Sequence, residues 1–120
     1  MPEWIEVMHG GSLDDPGSRG IELPGATRPG AAFFVALKDG EWRAYRNSCP
    51  HTGAPMEWVP HEFFDLDRSF IQCALHGALF RVGDGMCLSG PCAGQSLQAL
   101  PLRIDAQGVW VDVSSLRETD

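Results

Sequence analysis

Apolar and polar residues alternate along this chain in short stretches that break before a helical period can establish itself. Ser18 to Leu23 suits an edge strand closed by Pro24-Gly25. Ala32 to Leu37 and Trp42 to Arg46, rich in aromatic and β-branched residues, flank Lys38-Asp39-Gly40-Glu41, where Asp-Gly supplies the positive φ of a hairpin turn. Ser69 to Cys73 reads as a short strand and Leu79 to Val82 as its return. Ala99 to Ile104 pairs with Val109 to Val113 about Asp105-Ala106-Gln107-Gly108. Gly83-Asp84-Gly85 and Gly90-Pro91 are further turn signals. Between the strands, Glu57 to Arg68 forms a long excursion that carries Trp58, Pro60, Phe63 and Phe64. The pattern predicts one all-β, mainly antiparallel domain over residues 18–113. Residues 1–17 are expected to form an irregular N-terminal arm and residues 114–120 a C-terminal tail.

Composition narrows the picture. Gly (14) and Pro (9) make up about a fifth of the 120 residues, which favours short strands joined by many turns. A net charge of −7 argues against a nucleic-acid partner, which would require a basic stripe to neutralise phosphates. No apolar run approaches the roughly 20 residues that span a bilayer. Met1 to Gly10 lacks the basic cluster and apolar stretch of a secretory signal. A cytoplasmic location is therefore expected, and there four cysteines suggest ligands or packing before disulfides. No serine–histidine–acid constellation and no glycine loop for phosphate is recognisable, and Asp65 and Asp67 read as a turn.

The chemistry concentrates in two segments. Cys49-Pro50-His51 offers a thiolate and an imidazole two residues apart, and Cys73-Ala74-Leu75-His76 offers the same pair three residues apart. Each lies in a turn-rich loop after a predicted strand, so both can face one small object. Structural zinc accepts two sulfurs and two nitrogens, although zinc fingers usually group the cysteines in one half and the histidines in the other. Mixed segments instead suit a [2Fe–2S] cluster, each loop giving its thiolate to one iron and its imidazole to the other. His9 and His61 read as solvated side chains. Cys87 and Cys92 read as buried thiols packed nearby, with a disulfide or an auxiliary metal site as the alternatives. Trp42, Trp58 and Trp110 read as core or loop anchors, and Met56 as a water shield.

Cys49-Pro50-His51-Thr52-Gly53 together with Cys73-Ala74-Leu75-His76-Gly77 resembles the Cys-x-His and Cys-x-x-His signature of the Rieske family. The 21 residues between the pairs (52–72) exceed the family's usual spacing, and the Glu57–Arg68 excursion takes up the excess as an insertion away from the ligands. The resemblance implies a β-sandwich-like base with a small cluster-binding subdomain, about residues 47–92, built from two ligand loops. It implies one [2Fe–2S] cluster per chain, with Cys49 and Cys73 on the inner iron and His51 and His76 on the outer. Gly90-Pro91 resembles the family's proline-containing loop over the cluster.

The potential of such clusters spans about −150 to +300 mV. High-potential members carry an extra cysteine in each loop and two sulfur-bonding hydroxyls. Here Ala54, Ala74, Ala78 and Phe80 occupy those positions, which implies the low end. The implied function is a one-electron carrier, not an enzyme, taking electrons from a flavin reductase and passing them to a terminal oxygenase. The alternatives are a Rieske-like small subunit of a larger, nitrite-reductase-like oxidoreductase, or a zinc-bound structural module.

Overall fold

The computed structural model describes residues 1–9, 13–25, 30–50, 53–75 and 77–117, with His9 described in its backbone alone. Among these residues nine strands, β1 (Trp4–His9), β2 (Gly17–Ile21), β3 (Phe33–Lys38), β4 (Glu41–Arg46), β5 (Ile71–Gln72), β6 (Leu79–Phe80), β7 (Cys87–Ser89), β8 (Leu102–Asp105) and β9 (Gly108–Asp112), precede one short helix, α1 (Ser114–Arg117). They form three antiparallel sheets ordered β1-β9-β8, β2-β3-β4 and β5-β6-β7. No helix among the described residues is long and apolar enough to cross a membrane.

The alternation along β3 explains how three sheets share two cores. Phe33, Phe34, Val35 and Ala36 are all fully buried. Successive side chains point to opposite faces of a strand. Phe33 and Val35 accordingly join Val7, Met8, Leu100, Val109 and Val111 in a base core, while Phe34 and Ala36 join Met56, Phe63, Ile71 and Phe80 in a second core. β4 divides the same way, with Ala44 in the base and Tyr45 on the other side. The buried Tyr45 hydroxyl donates to the Val82 carbonyl at 2.6 Å, tying the second core to the segment after β6.

The β3–β4 and β8–β9 hairpins lie where the alternation predicts them. Asp39 and Gly40 both adopt positive φ in the first turn, and the Asp15 carboxylate accepts both of their backbone N–H groups at 2.8 Å.

The expected irregular arm is not irregular at its start. Trp4–His9 is a strand paired along the whole of β9, from Trp4 opposite Asp112 to His9 opposite Gly108. A bulge between Glu6 and Met8 breaks strict alternation and leaves the consecutive Val7 and Met8 both buried. That bulge, with the nearby glycines, hid the strand from a period-two reading. The tail also carries structure: α1 buries Leu116 in the base core, and Arg117 pairs with Glu3 at 2.7 Å.

The Glu57–Arg68 excursion is anchored more firmly than a loose insertion. Phe63, at its middle, is buried and stacks on Phe34 with ring centroids 4.1 Å apart. The Ser18 hydroxyl donates to the His61 carbonyl (2.7 Å) and accepts from the Phe63 N–H (3.1 Å). His61, expected to be merely solvated, accepts the Gly20 N–H on Nδ1 at 3.1 Å. Trp58 is 74% exposed, so it anchors no core. Asp65 is a turn residue as expected, its carboxylate accepting the N–H groups of Ser69 and Phe70.

Candidate metal centre

Each candidate cysteine opens a loop with the same backbone closure. The Cys49 N–H donates to the Ala54 carbonyl (2.9 Å), and the Gly53 N–H returns to the Cys49 carbonyl (2.7 Å). The Cys73 N–H donates to the Ala78 carbonyl (2.9 Å), and the Gly77 N–H returns to the Cys73 carbonyl (2.8 Å). Both glycines sit at positive φ, 77° and 69°, a conformation that glycine adopts without steric cost. The common signal is legible in the chain as Cys-x-x-x-Gly-Ala in each segment, a repeat that the histidine offsets obscure. The two loops are joined directly by the Ala74 N–H, which donates to the Met56 carbonyl at 2.8 Å.

Cys49 and Cys73 are both buried, 1% and 0% exposed, and belong to the second core. His51 and His76 lie outside the described residues. Among the described residues, no three His, Cys, Asp or Glu side chains gather as a metal site.

Asn47 is the functional residue that pattern reading passed over. It is buried just ahead of Cys49, and its side-chain oxygen accepts the buried Met56 N–H at 2.8 Å. Its amide nitrogen donates to the Ala31 carbonyl (3.0 Å) and to Glu57 Oε1 (2.8 Å). One side chain thus fixes the exit of the first loop to the end of the first hairpin. A polar residue set between a predicted strand and the first cysteine is the signal that could have found it.

A third segment walls the site. Gly90 has φ 110°, and a Cβ placed there would meet Ala78 Cα and Cβ at 2.9 Å, so the Gly90-Pro91 turn lies directly on the second loop. Flanking it, Cys87 and Cys92 are buried as expected, with their sulfurs 3.0 Å apart. Burial pushes the Cys92 thiol up to about 12, the Cys87 and Cys49 sulfurs adding to the shift. Met56 is fully buried in the same core.

A groove of about 660 Å³ runs between β2 and the insertion, lined in part by Ile21, Trp58 and His61. Neither cysteine lines it.

An antiparallel β domain that presents two matched loops, each opening on a buried cysteine, with a proline-containing turn against the second, has the design of a small metal-cluster domain. The sequence matches the profile of the Rieske [2Fe-2S] domain over residues 3–108, and the chain belongs to that family. It is similar to human apoptosis-inducing factor 3, at 30% identity over 109 residues, 90% of this chain. It spans only 16% of that relative's length. Among solved structures, it resembles the ferredoxin of carbazole 1,9a-dioxygenase from Nocardioides aromaticivorans IC177 (TM-score 0.67, 20% identity, 93% of this chain and 97% of that one). It also resembles the Sphingomonas yanoikuyae B1 ferredoxin (TM-score 0.66, 21% identity, 92% and 98%). A chain in a complex of reduced oxygenase and oxidised ferredoxin of carbazole 1,9a-dioxygenase matches with TM-score 0.69, at 22% identity over 91% of this chain and 92% of that one. At these identities the structural likeness establishes the fold.

The residues present fit the family's cluster. Two thiols stand at equivalent points of matched loops, inside an apolar core that excludes water, with a histidine two or three residues beyond each. A single zinc finger has no need of such a paired, mixed arrangement.

Proposed function

We propose that this chain is a one-electron carrier, with Cys49 and Cys73 holding one iron of a [2Fe–2S] cluster and His51 and His76 the other. When bound, the cluster supplies a reversible one-electron couple. The observation that carries this reading is the matched pair of closures at Cys49 and Cys73, stitched together by the Ala74–Met56 hydrogen bond. The protein's own contribution is positional. Asn47 and the two glycines set the backbone path at Cys49 and Cys73. The core around Met56, Phe80 and the Gly90-Pro91 turn keeps water from the sulfurs.

The potential belongs at the low end of the family range. Hydrogen bonds to cluster sulfur favour the electron-rich state, and the buried Ala78 and Phe80 carry no hydroxyl. Phe80→Tyr is expected to raise the midpoint by roughly 60 mV, the equivalent of one hydrogen bond to a charged acceptor for a one-electron couple. A midpoint of the unaltered protein above about +100 mV, within the range for such clusters, contradicts the assignment.

The partners fit the same reading. A terminal oxygenase as acceptor is supported by the likeness to chains of ferredoxin–oxygenase complexes, and a flavin reductase as donor follows from the family resemblance. A net charge of −7 suits brief, salt-sensitive encounters with basic docking faces. A reducing, cytoplasmic setting agrees with four unbridged cysteines. The test is chemical analysis and spectroscopy of the purified protein. Iron and acid-labile sulfide at about two each, with a red-brown colour bleached by reductant, support the carrier. A colourless protein with one zinc overturns it.

One observation favours a second reading, that of a Rieske module working within a larger oxidoreductase. The relative matched over 90% of this chain is a protein about six times longer, of which the match covers 16%. Co-purification in a fixed stoichiometry with a larger redox polypeptide selects the module, and elution as a free protein selects the shuttle.

A further inference from the structure

Cys87 and Cys92 are the cysteine pair that the carrier reading leaves without a task. Their sulfurs are 3.0 Å apart, and a disulfide needs about 2.05 Å, so an approach of about 1 Å suffices. Only four residues separate them, and Leu88, Ser89, Gly90 and Pro91 are all exposed. The pair is therefore buried directly beneath a short surface turn. No third ligand stands by to make a metal site among the described residues. The backbone already brings the ends together: the Cys87 N–H donates to the Gln95 carbonyl (2.7 Å), the Gly94 N–H to the Cys87 carbonyl (3.1 Å), and the Gln95 N–H to the Cys92 carbonyl (2.9 Å).

We propose that Cys87 and Cys92 form a reversible disulfide that locks the Gly90-Pro91 turn onto the second cysteine loop when the protein meets a low-molecular-weight disulfide such as oxidised glutathione. One cysteine sulfur attacks the oxidant, giving a mixed disulfide and releasing one small thiol. The second cysteine then displaces the other small thiol. Two S–H bonds are lost, one S–S bond forms in the protein and one breaks in the oxidant. The two electrons and two protons leave in the pair of released thiols. In a reducing compartment the pair rests as thiols, and oxidation closes it.

The location gives the bridge a consequence. Gly90 lies against Ala78, in the loop that begins at Cys73, and Cys92 shares the second core with Cys49. A bridge inside the turn stiffens this wall. The proposal concerns Cys87 and Cys92 alone and stands whether or not the four-ligand assignment holds.

The test exposes the purified full chain to excess oxidised glutathione, alkylates it under denaturing conditions, and maps the linked peptides. The expected product joins Cys87 to Cys92. Amide exchange at Gly94 and Gln95 should slow about tenfold on oxidation, within what closing a short loop allows, and recover with dithiothreitol. Cys92→Ser should abolish both the link and the slowing. Four alkylated thiols after oxidation, stable glutathione adducts, a Cys49–Cys92 link, or a bridge that leaves exchange unchanged each overturn the proposal. The measurements on the unaltered chain decide it even where the serine variant folds poorly.

Discussion

The two cysteine loops reach one backbone form from opposite supports. The loop from Cys49 follows a long β-hairpin and leads into the insertion, so its closing end is held by a side chain, with Asn47 bonding Met56, Ala31 and Glu57. The loop from Cys73 sits between β5 and β6, whose backbone pairing of Ile71 with Phe80 and Gln72 with Leu79 holds both ends. It is then pressed from outside by Gly90. One loop is fixed by a buried polar contact and the other by a sheet and a close approach. A repeated geometry therefore does not require a repeated scaffold, and the two loops should fail in different ways.

The largest effect tests what they share. Cys49→Ser and Cys73→Ser should each abolish the cluster spectrum completely and alike, since in the proposed assignment each removes a thiolate from the same iron; iron and sulfide analysis checks this. A spectrum that survives either change contradicts the ligand assignment. Next, Asn47→Ala should cost about 3 kcal/mol in denaturant unfolding, because it deletes three hydrogen bonds and strands the buried Met56 N–H. A loss near zero would mean that the insertion holds the first loop unaided.

Glycine substitutions probe the outer face. Gly90→Ala should cost about 2 kcal/mol, since its Cβ meets the Ala78 backbone at 2.9 Å in a strained conformation. Gly53→Ala meets nothing within 4 Å and should cost only the roughly 1 kcal/mol of a left-handed residue. Equal losses at the two sites would remove the distinction between a pressed loop and a free one.

The smallest effect is electrostatic. Two hydrogen bonds from Arg81, with help from the Met86 N–H, hold the Asp84 carboxyl down to about 2, in the turn between β6 and β7. Its folded value lies below the ordinary 3.8, so its contribution is present above that pH and is lost as pH falls through about 2. Acid unfolding of Asp84→Asn should differ from the unaltered protein at neutral pH and converge with it below pH 2. The difference will be slight, because both groups are half exposed.

Much of this molecule was legible along the chain. The β3–β4 and β8–β9 hairpins follow from alternation and turn chemistry, because strands i and i+1 joined by a tight turn need only local information. The two Cys-His segments announce the family for a similar reason, since ligand spacing is set by the length of a loop. β1 was not legible. Its bulge spoils the period of two, and its partner β9 is about a hundred residues away. Nor was the anchoring of the insertion, where Phe63 acquires its role only by stacking on Phe34.

The sequence by itself determined the antiparallel β class, the two cysteine loops and the missing hydroxyls at Ala78 and Phe80. Each is a matter of residue identity at short range. Only the tertiary structure decided that Asn47 holds the first loop, that Gly90 presses on the second, and that Cys87 and Cys92 lie 3.0 Å apart. Those are contacts between segments that packing brings together, and their energies depend on distance and burial, which no linear pattern encodes.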